Sequence, residues 1–144
     1  MKKNQIGVVG LGYVGLPLLL ELANHFHCVG FDTSADRVSA IQEKIDANLQ
    51  IDFGELVNAP VVSDKSEVLH NCTVFILTLP TPIKSDKTPD LQPLVRGCET
   101  VARMLKRGDM VIFESTVYPG CTEEICVPVL EHISGLRLNV DFSC

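Results

Sequence analysis

Residues Ile6-Gly7-Val8-Val9-Gly10-Leu11-Gly12-Tyr13-Val14-Gly15-Leu16-Pro17 decide the fold of this chain. The short apolar run Ile6 to Val9 ends in glycine. From Val14 to Leu22 a helical stripe follows: Val14, Leu18 and Leu22, with Leu19 and Ala23 beside it. Pro17 falls in the first turn of that helix, where a missing N–H costs little. The stretch therefore reads strand, tight turn, helix, and the turn spells G-x-G-x-x-G. Alone such a match is weak. Here the next apolar run, Cys28 to Phe31, ends at Asp32, 22 positions after Gly10. Strand, glycine turn, helix and distal acid together are what a dinucleotide-binding unit requires.

Each residue of the turn has an expected task. Gly10 allows the tight turn, Gly12 lets the backbone approach a pyrophosphate, and Gly15 permits close packing of helix on strand. The amides opening the helix, around Tyr13 and Val14, face the phosphates. Asp32 accepts hydrogen bonds from the adenosine ribose and repels a 2′-phosphate, which favours NAD over NADP. Arg37 admits two readings: a cation that softens that preference, or a solvated charge on a helix face.

Working outward, strand and helix alternate. Ser34 caps a helix whose apolar positions Val38, Ile41 and Ile45 share a face. Residues 46 to 60 hold a short helix around Glu55 to Asn58. Val61-Val62 is a short strand and Ser66 to His70 a short helix. Thr73 to Leu79 is a continuous apolar and β-branched run, the mark of a central parallel strand. Pro80 to Pro89 is a loop. Asp90 caps a helix from Leu91 to about Lys106, which Gly108 closes. Met110 to Phe113 is a fifth strand, and Tyr118-Pro119-Gly120 turns into a helix that Pro128 should kink. Leu138 to Phe142 reads as a sixth strand. The expectation is one α/β domain over residues 1–144: a doubly wound parallel Rossmann sheet of about six strands, with helices on both faces. The chain stops on or just after its sixth strand, which reads as the truncation of a longer protein.

Composition excludes several function classes. Hydrophobic residues make up 46% and charged residues 21%, an ordinary globular balance. A net charge of −6 with mixed signs argues against a nucleic-acid partner. No apolar run reaches the ~20 residues that span a bilayer, and glycines interrupt any signal-like segment after Lys2 and Lys3. The chain is read as cytoplasmic, with no membrane partner. Its six cysteines form no C-x-x-C pair and are expected to be reduced thiols. His25, His27, His70 and His132 give no support to a metal site.

In open α/β sheets ligands bind beyond the carboxyl ends of the strands. Two loops should lie there. Leu79-Pro80-Thr81-Pro82 is either a stiff turn or a site offering a hydroxyl. Glu114-Ser115-Thr116-Val117-Tyr118-Pro119-Gly120 sets three polar side chains at the mouth of the sheet; for Glu114 the bland alternative is a structural hydrogen bond.

With these loops the sequence resembles the UDP-glucose/GDP-mannose dehydrogenase family over essentially its whole length. The resemblance is carried by Gly10 to Pro17, Asp32, Leu79-Pro80-Thr81-Pro82, Pro89-Asp90-Leu91 and Glu114 to Gly120. Leu79, where the family more often has Val, is a mild departure. Tyr118 and the run Pro119 to Glu124 look most like the enzymes acting on UDP-N-acetylhexosamines, above all UDP-N-acetylglucosamine 6-dehydrogenases of the Vi-antigen type. Such enzymes serve capsule and O-antigen polysaccharide synthesis. UDP-glucose and UDP-N-acetylmannosamine enzymes are the nearer alternatives.

The resemblance implies an oxidoreductase that converts a sugar 6-hydroxyl to a carboxylate in two NAD-dependent steps, through a cysteine-bound thiohemiacetal and thioester. It implies that Gly10 to Gly15 and Asp32 hold NAD. Thr81, next to Pro80, and Ser115 approach the cofactor near its ribose and nicotinamide, and Thr116 helps position a catalytic water. The family's acidic residue, Lys, Asn, nucleophilic Cys and Asp have no counterpart in these 144 residues. Cys121, Cys126 and Cys144 are not candidates for the nucleophile. The piece is expected to bind NAD and to be inactive by itself, the full-length enzyme to be a homodimer. Two rival readings share the glycine turn: a hydroxyacid-type dehydrogenase, which does not predict the two later loops, and a non-enzymatic NAD-sensing module, which needs a coupled effector domain.

Overall fold

The computed structural model describes residues 5–44 and 59–144. Ile45 and the expected helix near Glu55 to Asn58 lie outside them. Five strands alternate with helices: β1 (Gln5–Val9), α1 (Gly15–Ala23), β2 (His27–Phe31), α2 (Ala35–Gln42), β3 (Val61–Ser63), β4 (Val74–Leu77), α3 (Gln92–Met104), β5 (Met110–Phe113) and α4 (Val127–Ser134). A 3₁₀ turn at Ser66–Leu69 precedes β4, and a π-helical stretch at Thr122–Cys126 precedes α4.

All pairings are parallel and the order is β3-β2-β1-β4-β5. The order reverses at β1, so a crevice opens beyond the carboxyl ends of β1, β2 and β4. Helices cover both faces, because each strand alternates its side chains between two apolar clusters. Ile6 and Val8 of β1 join Ile76 of β4 against Leu16, Leu19 and Ala23 of α1 and Val38 and Ile41 of α2. Val9, Phe31, Phe75, Leu77 and Val111 point the other way, onto Leu94, Cys98 and Val101 of α3 and Leu130 of α4.

Local chemistry sets several boundaries. Ser34 caps α2 by accepting from the Arg37 amide at 3.2 Å, as its residue type predicts. Asp90 accepts from the Gln92 amide at 3.0 Å. α3 ends at Met104, short of Lys106, and Gly108 takes φ +88° in the turn beyond. Pro128 does not kink a continuous α-helix. The helix instead runs in π register ahead of it, with the Val127 amide donating to the Thr122 carbonyl, and restarts as α4 with proline in its first turn.

Among the described residues the sheet has five strands. Leu138 to Phe142, expected as a sixth, forms a turn: Asn139 takes φ +59° and its amide donates to Phe142 O at 2.8 Å. Asp141 closes the turn, its Oδ2 accepting from the Arg137 amide at 3.0 Å. Its amide returns a bond to Arg137 O at 2.8 Å. The chain reaches the sheet edge one residue later, where Ser143 bridges β5 beside Met110.

Candidate cofactor site

Each strand that feeds the crevice is held one residue past its end. The Gly10 amide donates to Phe31 O at 2.8 Å, Thr78 to Val9 O at 2.9 Å and Glu114 to Leu77 O at 2.9 Å. The glycine turn, the loop after β4 and the loop after β5 therefore spring from fixed points. Between them lies a cleft of about 1140 Å³, somewhat larger than the roughly 300–1,000 Å³ usual for ligand sites.

The three glycines of the turn differ in why they are glycine. Gly10 takes φ +94°, and a Cβ there would stand 2.8 Å from a Leu79 methyl and 3.0 Å from Thr78 O. A Cβ on Gly15 would collide with Gly10 O and Thr78 Oγ1. Both are required by the fold itself. A Cβ on Gly12 would meet nothing within 4 Å, and its φ lies outside the left-handed region. Nothing among the described residues asks for glycine at 12; the space its side chain would fill belongs to the cleft. The amides of Gly12, Tyr13 and Val14 form no hydrogen bond within the described residues. They open α1, where a helix N-terminus favours an anion. A pyrophosphate fits this cradle.

Asp32, just past β2, is tied to the same turn. Its Oδ2 accepts from the Leu11 amide at 2.8 Å and its Oδ1 from the Ser34 amide at 2.9 Å. A carboxylate has about four acceptor sites, so two amides leave Asp32 able to accept from ribose hydroxyls. Arg37 is not a solvated helix-face charge. It is half-buried and its Nε donates to Leu11 O at 2.8 Å, across the turn from Asp32.

The two later loops are strapped to each other. The Leu79 amide donates to Ser115 Oγ at 3.1 Å, and Thr81 Oγ1 donates to Thr116 O at 2.6 Å. Both hydroxyls thus hold the wall of the cleft together. Glu114 is exposed and lines the cleft, and no bond from its carboxylate to backbone is present among the described residues. Of the residues singled out in the sequence, Gly10, Gly12, Tyr13, Val14, Asp32, Pro80, Thr81, Ser115 and Thr116 line the cleft together. Gly15 and Arg37 stand behind the turn. Thr78 was missed because it continues the β-branched run of β4. It is a buried polar residue whose hydroxyl reaches Gly10 O at 2.6 Å.

The cysteines carry no comparable arrangement. Cys28, Cys72, Cys98, Cys121 and Cys126 are buried. Burial pushes the Cys72 thiol up to about 12 and raises Cys28 and Cys121; Cys144 has an exposed surface, yet partial desolvation, with Cys126 and Glu123 nearby, pushes its thiol up to about 11. Cys98 and Cys126 are neighbours in the core; the Cys126 thiol and burial raise Cys98, and the Cys98 thiol lowers Cys126. Cys126 is nonetheless fully enclosed in the core, so no exposed thiolate is on offer. No group of three or more metal-ligating side chains is present among the described residues. None of their helices is long and apolar enough to cross a membrane.

Comparison with known proteins agrees with this geometry. Residues 4–144 match the NAD binding domain of the UDP-glucose/GDP-mannose dehydrogenase family. The chain is similar to a UDP-N-acetyl-D-glucosamine 6-dehydrogenase of Pseudomonas aeruginosa, at 51% identity over 99% of the chain and 34% of that protein. It is similar to a protein of the same name from Salmonella typhi, at 46% identity over 96% of the chain and 33% of that protein. Among solved structures it superposes on UDP-D-ManNAc dehydrogenase of Pyrococcus horikoshii with a TM-score of 0.85 and 36% identity, over 96% of the chain and 34% of that structure. The chain spans about a third of the length of the curated relatives it matches. It belongs to the UDP-glucose/GDP-mannose dehydrogenase family, and its cofactor is the NAD that this domain of the family binds.

Proposed function

We propose that this chain is the cofactor-binding domain of a nucleotide-sugar 6-dehydrogenase that oxidises the C6 hydroxyl of a UDP-N-acetylhexosamine to the uronic acid. UDP-N-acetylglucosamine is the first-choice substrate, since two relatives at 51% and 46% identity carry that name. The single observation behind the binding role is Gly12, whose missing side chain the protein has no use for and a pyrophosphate does. In this reading the amides of Gly12, Tyr13 and Val14 hold the pyrophosphate and Asp32 holds the adenosine ribose, with Arg37 fixing the turn from behind. Pro80, Thr81 and Ser115, which line the cleft, are assigned to the nicotinamide end, and Thr116 beside them to positioning a water. NAD supplies the hydride acceptor. The chain's own part is to bind it, orient it and turn one face of it to the substrate. The nucleophile and its partners would be supplied by sequence beyond these residues. The working enzyme is proposed to be a cytoplasmic homodimer.

An assay of NADH formation by the enzyme carrying this domain tests the proposal. UDP-N-acetylglucosamine should be the best substrate, with two NADH formed per sugar. UDP-N-acetylmannosamine and UDP-glucose should be slower, and the 144-residue chain alone should form none. A preference for UDP-glucose or UDP-N-acetylmannosamine would contradict the substrate assignment. A chain that binds NAD while its parent oxidises no sugar would favour an NAD-sensing module.

A further inference from the structure

We infer that Thr78 is a positioning residue for the cofactor: it fixes the peptide of the glycine turn whose direction decides whether the turn offers amides or a carbonyl to the pyrophosphate. This rests on the NAD-binding role proposed above. Thr78 follows the last residue of β4 and is buried, with 8% of its surface exposed. Its hydroxyl lies 2.6 Å from Gly10 O and 3.1 Å from Val9 O. Val9 O already accepts the Thr78 amide at 2.9 Å as a continuation of the β1–β4 ladder. A hydroxyl has one proton to donate, and the shorter contact assigns it to Gly10.

The Gly10–Leu11 peptide is thus held at both ends by side chains from opposite sides of the turn. Thr78 holds its carbonyl, and Asp32 Oδ2 holds its N–H at 2.8 Å. The next peptide is held by Arg37, whose Nε donates to Leu11 O. With both carbonyls fixed by donors, the amides of Gly12, Tyr13 and Val14 are the groups left facing the cleft. The peptide after Gly10 is the one that needs such a hold. Gly10 sits at φ +94°, where glycine has wide conformational freedom. Without the hydroxyl, Gly10 O becomes a buried acceptor with no donor, and rotating the peptide is the way to relieve it. That rotation withdraws the Leu11 amide from Asp32 and turns a carbonyl dipole toward the phosphates. Phosphate and ribose recognition are therefore coupled through one hydroxyl outside the G-x-G-x-x-G motif.

The test compares wild-type chain, Thr78→Val and Thr78→Ser by calorimetric titration with NAD and with ADP-ribose, alongside thermal melts. Val keeps the shape and removes the hydroxyl; Ser keeps the hydroxyl. Thr78→Val should raise Kd for both ligands by about tenfold, with the same factor for each because both carry the pyrophosphate. Thr78→Ser should restore binding to within about threefold, even though losing a buried methyl lowers its melting temperature. A purely structural role predicts the reverse: affinity of the folded protein unchanged in Thr78→Val, and melting temperature alone affected. If Thr78→Val does not fold, Thr78→Ala carries the same comparison. Equal affinity in wild type and the hydroxyl-less variant would overturn the inference alone. No NAD binding by the wild-type chain would overturn the cofactor role and the inference with it.

Discussion

Replacing Gly12 and Gly15 by alanine should separate binding from folding. The two lie three residues apart in one motif, yet their surroundings differ completely. At Gly12 a Cβ meets nothing within 4 Å and the backbone is not left-handed. Gly12→Ala then mainly reduces the freedom of the unfolded chain, worth about 0.4–1 kcal/mol of stabilisation. The melting temperature should stay level or rise by roughly 1–4 °C. The added methyl occupies the space over which a pyrophosphate must approach the amides of Gly12 to Val14. NAD affinity should fall at least tenfold, or about 1.4 kcal/mol, and Gly12→Val should abolish it. At Gly15 the methyl collides with Gly10 O and Thr78 Oγ1, and neither backbone nor a buried hydroxyl can yield cheaply. Gly15→Ala should cost about 1–3 kcal/mol or more, as overpacked cores do, and lower the melting temperature accordingly. Differential scanning calorimetry and NAD titration on the same preparations read both effects. A Gly12→Ala protein that melts much lower, or that binds NAD like wild type, would refute the assignment of that space to a ligand. A Gly15→Ala protein with unchanged stability would refute the packing argument.

Asp32→Asn removes the charge while leaving one oxygen to accept; NAD affinity should drop about tenfold and the preference over NADP should narrow, as competitive titration of the two cofactors would measure. Thr81→Val and Ser115→Ala cut the two straps between the same pair of loops, so their effects on NAD affinity should be non-additive by about 0.5–1 kcal/mol in a double-mutant cycle. Alkaline pH should destabilise the fold through Cys72. Burial raises its thiol from 9.0 to about 12, so the folded state prefers the protonated form; that stability is full below pH 9 and lost as pH rises toward 12. Thermal melts between pH 8 and 11 should fall less steeply in Cys72→Ala than in wild type. In native protein at neutral pH a thiol reagent should modify the exposed Cys144 before any of the five buried cysteines.

Much of the architecture was legible because it depends on spacing along the chain. The glycine turn, its helix and Asp32 are fixed by local periodicity and by one strand length, and five strands stand where apolar runs predicted them. What escaped depends on contacts between distant segments. Thr81 and Ser115 were recognised as polar groups at the sheet's mouth. That they tie one loop to the other follows only from the 36- and 35-residue separations that the fold closes. Thr78 gave no signal because threonine in a β-branched run is ordinary strand composition. Arg37 left two possibilities open; its bond to Leu11 O speaks against a solvated charge, and bracing the turn from behind was neither of the two. The segment from Leu138 to Phe142 misled for the opposite reason. Its apolar residues suggested a strand, while Asn139 and Asp141 carried turn chemistry that the Asn139 φ of +59° expresses.

Calorimetric titration of the 144-residue chain with NAD, and separately with NADP, tests the cofactor assignment most directly. Saturable one-to-one binding of NAD, weaker or absent for NADP and lost in Gly12→Val and Asp32→Ala, is the predicted result. Equal binding of both cofactors, or NAD binding that survives Gly12→Val, would contradict it.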